Sequence, residues 1–120
     1  MPLPDGVDAW LTVPDAAELL GVSVTDVRQL LREGRLIALR GEPGEPLRIP
    51  AGFVQRGPVA LEVTKGLPAV ITLLRDGGYD DEAVVRWLHT ADDSLPGTPV
   101  AALLCDRGTE VKRRAQASAF

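Results

Sequence analysis

The chain has 120 residues, of which 45% are hydrophobic and 25% charged, with a formal charge of −4. This composition is typical of one ordinary globular domain or two very small ones. No apolar run approaches the roughly 20 residues that cross a bilayer, and the first residues lack the basic start of a signal peptide. A single cysteine and a single histidine exclude an internal disulfide and a Cys/His zinc site. We therefore expect a cytoplasmic protein with no metal, no cofactor and no small-molecule substrate.

Two short helices with a tight turn between them are predicted in residues 12–34. Thr12 and Asp15 form a capping box that starts the first helix, and Gly21 supplies its left-handed end. Ser23 and Asp26 form a second capping box only two residues later. Helices this short and this close in sequence cross steeply, so the pattern favours a helix-turn-helix over an antiparallel hairpin.

The second helix, predicted over residues 24–33, has one apolar and one polar face. Four apolar residues at spacings of three and four are expected to point inward: Val24, Val27, Leu30 and Leu31. Ala17 is the small residue expected where the two helices cross, and Val22 is expected to plug the core.

The opposite stripe carries side chains of the types that read base edges or bind phosphates in the major groove. Its members are spaced i, i+3, i+4 and i+7: Thr25, Arg28, Gln29 and Arg32. Residues near the start of a recognition helix contact base edges, so Thr25, Arg28 and Gln29 are predicted to read bases. Arg32, farther along the helix, is predicted to contact phosphate. An ordinary solvated helix face is the alternative interpretation of this stripe.

The residues after Gly34 predict a β-hairpin wing over residues 35–50. Apolar runs at 35–40 and 47–50 flank a loop rich in glycine and proline. Arg40 and Arg48 flank the tip and are predicted to reach phosphates or the minor groove, although two glutamates in the loop oppose this. Phe53 is expected to pack back on the core.

The charge is segregated along the chain. Residues 1–26 contain five acidic residues and neither lysine nor arginine. Residues 27–57 contain six arginines against three glutamates, a local charge of +3. The sign of this local charge suits a polyanion, and the acidic total predicts a modest and salt-sensitive affinity for it.

The second half of the chain is predicted to form a small helical domain. We place the boundary at Gly57-Pro58, which gives a winged helix-turn-helix domain at 1–57 and a helical domain at 58–120. Helices are expected at 67–76 and 82–89, from Pro99 to Cys105, and at 109–120, with a loop at 92–97. Cys105 is expected to be buried rather than reactive.

Over nearly its whole length the chain resembles a family of small actinobacterial winged-helix DNA-binding proteins with a dedicated C-terminal helical domain. The resemblance is carried by three segments, Leu11–Val22, Arg86–Val100 and Thr109–Phe120. It implies a cytoplasmic, nucleoid-associated protein that binds double-stranded DNA, regulates transcription and has no enzymatic activity.

Two weaker resemblances give alternatives. Trp87-Leu88, Leu95–Pro99 and Ala102-Leu103 are similar to the toxin-binding domain of antitoxins, which implies a protein partner docked on the C-terminal half. The segment Arg48–Val54 resembles the strand-to-helix exit of excisionase-like and MerR-like winged domains, and an excisionase-like protein would act by bending DNA.

Overall fold

The computed structural model describes residues 3–95 and 97–119, so Met1, Pro2, Pro96 of the predicted loop and Phe120 of the predicted last helix lie outside it. The described part is mainly helical with a small β component, which confirms the predicted class. None of the helices described is long and apolar enough to cross a membrane. The elements in chain order are β1 (Trp10–Thr12), α1 (Val13–Leu20), α2 (Val24–Arg32), β2 (Arg48–Pro50), a 3-10 turn (Ala51–Phe53), β3 (Val54–Arg56), β4 (Leu61–Val63), α3 (Leu67–Asp76), α4 (Asp81–Leu88), α5 (Pro99–Leu104) and α6 (Gly108–Ala119).

Both predicted capping boxes are present, and they set the tight turn between α1 and α2. The Asp15 amide donates to Thr12 Oγ1 at 3.2 Å, and the Asp26 amide donates to Ser23 Oγ at 3.0 Å. In each box the carboxylate accepts from the backbone N–H of the capping residue in return. Gly21 ends α1 with a φ of 70°, a left-handed conformation that glycine adopts at little cost.

The inward face of α2 is largely as predicted, with one correction. Val27 is fully buried, and Val24, Leu30 and Leu31 are half-buried against the core. Val22 does not plug this core, because 41% of its surface is exposed. The small Ala16 and Ala17 of α1 are buried in the core instead.

The wing is held by backbone pairing on both sides of β2. Thr12 of β1 lies opposite Arg48 in an antiparallel pair. On the other side, Arg48 and Leu39 exchange two backbone hydrogen bonds, each 2.8 Å long. The first arm of the predicted wing pairs only at this one bridge. Leu36 and Ile37 are both buried, and consecutive residues of a half-buried strand cannot point to the same side.

A second hairpin, which we did not predict, connects the two halves of the chain. It consists of β3 and β4, with Val54 opposite Val63 and the Gly57 amide donating to the Ala60 carbonyl at 2.9 Å across the turn. The residues proposed as a domain boundary, Gly57-Pro58, therefore lie in the turn of this hairpin.

The helices of the C-terminal half start and stop at the predicted residues or within one residue of them. The Ala83 amide donates to Asp80 at the start of α4. α3 and α6 run parallel, because Gly66 at the start of α3 lies beside Gly108 and Gly77 at its end lies beside Ala119. Cys105 is exposed, so the prediction that it is buried is wrong. It follows the last turn of the short helix α5, whose buried residues are Pro99, Val100, Ala102 and Leu103.

Among the described residues, one hydrophobic core runs through both halves. Its buried members include Val27 from α2, Ile71 from α3 and Val84 from α4. Phe53, after β2, is fully buried as predicted, and its ring centroid lies 5.9 Å from that of His89 at the end of α4.

Arg75 of α3 lies over Gly34, the residue that follows the C-terminal cap of α2. Gly34 is buried and has a φ of 73°. A Cβ atom placed there would lie 2.6 Å from Arg75 Nη1. The same guanidinium donates to Asp81 Oδ1 from Nε at 3.1 Å and from Nη2 at 2.6 Å. The C-terminal half therefore contacts the end of the predicted recognition helix directly.

We expect Gly34→Ala to lower the free energy of unfolding more than Gly21→Ala. The two glycines have nearly the same left-handed φ, 73° and 70°, so the backbone cost is matched at about 1–2 kcal/mol. A Cβ on Gly21 meets nothing within 4 Å, whereas one on Gly34 requires the Arg75 guanidinium, which is bonded to Asp81, to shift. Urea denaturation of both variants measures the difference.

The Arg75→Ala background tests the cause. Without the guanidinium the two alanine substitutions should cost the same. An extra loss of stability at Gly34 that persists in this background would contradict the assigned contact.

A second expectation concerns His89. Its Nδ1 donates to the Val85 carbonyl at 2.7 Å. Burial lowers the pKa of His89 below its ordinary 6.5, although the Val85 carbonyl and Asp8 act in the opposite direction. Below about pH 6.5 His89 binds a proton more readily in the unfolded chain than in the folded chain. The free energy of unfolding should therefore have its full value above about pH 6.5 and fall as the pH drops through the pKa that His89 has in the folded state.

The measurement is urea unfolding of wild type and His89→Gln between about pH 5.5 and pH 7.5. We expect the difference in unfolding free energy between the two proteins to shift with pH in favour of the variant at acidic pH. A difference that is constant over this range would show that His89 binds its proton equally well in both states.

Candidate nucleic-acid interface

The exposed face of α2 carries the four residues predicted from spacing. Thr25, Arg28, Gln29 and Arg32 are all exposed, and the fully buried Val27 lies on the opposite face. The helix spans Val24–Arg32, one residue shorter than predicted, and Glu33 is its C-terminal cap. The polar stripe is therefore available to a large ligand along the whole helix.

Three of the predicted arginines line one surface groove, which we call the arginine groove. Its volume is about 550 Å³, and it lies between α2, the start of α1 and the wing. Arg28 and Arg32 come from α2, and Arg40 comes from the wing. The remaining lining residues are Val13, Pro14, Leu31, Pro46 and Leu47. An apolar floor with cationic side chains around it suits the sugars and phosphates of a nucleic-acid backbone.

Gln29 lies on the other flank of α2. It lines a depression of about 390 Å³ together with Asp26, Leu30 and all three residues of β4. Glu62 of β4 adds a second carboxylate to this side. The two flanks of the helix thus differ in charge, with arginines on one and carboxylates on the other.

Arg48 has a different environment from the other predicted site residues. It is only half-exposed, and its Nε is buried without a hydrogen-bond partner among the residues described. Its backbone is the centre of the wing pairing, which fixes the direction of its side chain. Arg40, by contrast, is exposed.

Sequence reasoning missed the residues that surround the polar stripe. Glu33 accepts a hydrogen bond from Gln29, and the i, i+4 spacing would have indicated that contact. The position of β4 beside α2 had no such signal, because it depends on a hairpin distant in sequence. Pro14, which lines the groove, was not among the predicted site residues.

Two family models match the chain. The model described as "DNA-binding protein Rv2175c, wHTH domain" matches residues 3–54, and "Rv2175c C-terminal domain of unknown function" matches residues 64–119. A protein of Mycobacterium tuberculosis (strain ATCC 25618 / H37Rv), named "DNA-binding protein Rv2175c", is 43% identical over an alignment 120 residues long, and the match covers 90% of this chain and 79% of the relative. The chain belongs to the Rv2175c family. This confirms the resemblance to actinobacterial winged-helix proteins.

The fold agrees with that of a solved member of the Rv2175c family. The NMR structure of Rv2175c matches this chain with a TM-score of 0.84 and 39% identity, covering 100% of this chain and 87% of that one. Residues 55–63, which include most of the β3–β4 hairpin, lie between the segments that the two Rv2175c models match.

We expect Arg48→Met to leave the free energy of unfolding unchanged or to raise it by up to about 1 kcal/mol, because a buried polar atom without a partner opposes folding. Methionine retains an apolar stem of similar reach and lacks the buried N–H. Arg40→Met, at an exposed wing position, is the matched control and should change stability little. A decrease well above about 1 kcal/mol specific to Arg48 would mean that its guanidinium stabilises the wing.

Proposed function

We propose that this chain binds double-stranded DNA and regulates transcription, with α2 inserted into the major groove. The observation that carries the proposal is the arginine groove, because Arg28, Arg32 and Arg40 come from two separate elements to the same place beside the exposed helix face. Membership of the Rv2175c family supports it, since the relative is named a DNA-binding protein and the matched N-terminal model is a winged helix-turn-helix.

The side chains divide into two roles in this proposal. Thr25, Arg28 and Gln29 contact base edges, since they lie on the first two turns of the exposed face of α2. Arg32 and Arg40, together with Arg48 at the base of the wing, hold the phosphate backbone. The wing, residues 35–50, approaches the DNA strand that borders the major groove entered by α2.

Electrostatics sets the expected affinity. The +3 charge of residues 27–57 attracts phosphate, and the −4 charge of the whole chain opposes association. Binding should therefore be modest and should weaken steeply as salt is added.

The rest of the chain is proposed to support this function without enzymatic activity. The division into a DNA-binding domain at 1–57 and a helical domain at 58–120 stays a prediction, as does a location in the cytoplasm on the nucleoid. The contact of Arg75 with Gly34 favours a C-terminal half that belongs to the DNA-binding body over a separate partner-docking module. The match to a domain of unknown function adds no support for the antitoxin-like alternative.

The test is a fluorescence-anisotropy titration of a mixed-sequence duplex at low and moderate salt. We expect the wild type to bind at low salt and Arg28→Ala/Arg32→Ala to bind much more weakly. The slope of log affinity against log salt should become shallower by about 0.9 for each phosphate that the variant no longer neutralises.

The matched control is Arg86→Ala/Arg107→Ala. It removes the same charge from two exposed arginines of the C-terminal half, which pair with Glu82 and Glu110. Equal weakening by both double variants would mean that net charge alone drives binding and that α2 has no special role. No binding by wild type at low salt would refute DNA binding itself.

A further inference from the structure

The side-chain amide of Gln29 is held at both ends, by Arg32 on its own helix and by the capping residue Glu33. Arg32 Nη2 donates to Gln29 Oε1 at 2.7 Å, and Gln29 Nε2 donates to Glu33 Oε2 at 3.2 Å. A guanidinium only donates and a carboxylate only accepts. The opposite orientation would put the amide N–H groups against the guanidinium and the amide oxygen against the carboxylate. These two partners therefore fix the positions of the amide oxygen and nitrogen of Gln29.

The network leaves a defined hydrogen-bonding capacity on Gln29. An amide has two N–H donors and an oxygen with two lone pairs, and the network uses one of each. One donor and one acceptor are left on an exposed side chain. In the major groove adenine presents the complementary pair, an N7 acceptor beside an N6 donor, whereas guanine presents two acceptors.

The surroundings of Gln29 favour a contact of its remaining donor and acceptor with a base rather than with phosphate. The arginine groove lies on one side of α2, and Asp26 and Glu62 lie in the depression on the other. Carboxylates repel phosphate, so the backbone contacts belong to the arginine side. The neutral amide of Gln29 lies on the carboxylate side, away from the proposed phosphate contacts.

We infer that Gln29 recognises adenine in an A·T pair and that Glu33 is a positioning residue for this contact. The inference rests on the proposed DNA binding and names the base that one residue of the site reads. A glutamate at the end of a DNA-contacting helix opposes binding to a polyanion through its charge. Because the Glu33 carboxylate accepts a hydrogen bond from Gln29, we assign it a role in base selectivity rather than in affinity.

The test is selection from a library of random duplexes, with base frequencies compared at every position of the bound sequences. We expect wild type to select an A·T pair at one position, with about 5- to 100-fold discrimination against other base pairs, as a bidentate contact gives. Gln29→Ala should lose the preference at that position alone. Gln29→Glu, which only accepts, should shift it to cytosine.

Glu33→Ala separates positioning from charge. It should raise the overall affinity for DNA because a negative charge is removed, and it should weaken the preference for adenine at the Gln29 position. Glu45→Ala removes the same charge from the exposed tip of the wing and should raise affinity with every preference intact. Thermal melting of each variant checks that it is folded, which is expected because Gln29, Glu33 and Glu45 are all exposed.

The outcomes separate the two proposals. If wild type binds DNA but Gln29→Ala keeps every preference, or no position is enriched in adenine, the assignment of Gln29 is overturned and DNA binding stands. If Glu33→Ala changes affinity and selectivity in the same way as Glu45→Ala, Glu33 has no positioning role. If wild type retains no duplex at low salt, the proposed function itself fails.

Discussion

The backbone of Arg48 is the constraint on which the geometry of the site depends. Thr12 lies opposite it on one side, and Leu39 bonds to it twice on the other. Thr12 also caps α1, so the same row of residues fixes the start of that helix and both arms of the wing. The arginine groove needs all three parts, because its walls come from α1, α2 and the wing. A short sheet of two strands and one bridge therefore positions a surface made almost entirely by other elements.

The C-terminal half also contacts the elements that carry the predicted site. Thr64, after β4, is fully buried and donates its hydroxyl to the Gly52 carbonyl at 2.7 Å. Phe53 packs near His89, and Arg75 covers Gly34. These contacts join the turn after β2 and the end of α2 to α3 and α4. The orientation of the polar stripe is thus set by packing from both halves of the chain, not by the helix-turn-helix alone.

Local signals explain how much of this was predictable from sequence. Capping boxes, glycine stops and apolar spacing depend on residues within one or two turns, and they located α1, α2 and the exposed stripe closely. Pairing between distant segments left no comparable signal, so β1 with β2 and the β3–β4 hairpin were missed. A buried pair such as Leu36 and Ile37 is typical of a strand in sequence, although it packs as irregular chain.

The predictions of burial for two single side chains were wrong for a related reason. Val22 and Cys105 are apolar residues beside helix ends, where the backbone leaves the regular periodicity that predicts a buried face. Val22 lies beside Leu61 and Val63 of β4 and keeps 41% of its surface exposed. Cys105 caps α5, and six residues of almost uniform hydrophobicity do not indicate which face is buried. Six residues of the site were named from one helix and one wing, while the partners of Gln29 required the structure.

The cover that Arg75 places on Gly34 also has a consequence for the order of synthesis. A ribosome synthesises the chain from the N-terminus to the C-terminus, so α2 is made before α3 and α4. Until Arg75 and Asp81 have both been made, the end of α2 lacks its cover, and until β2 follows, Thr12 lacks its strand partner. The nascent chain therefore carries the complete set of predicted DNA-contacting side chains before it carries all the residues that position them.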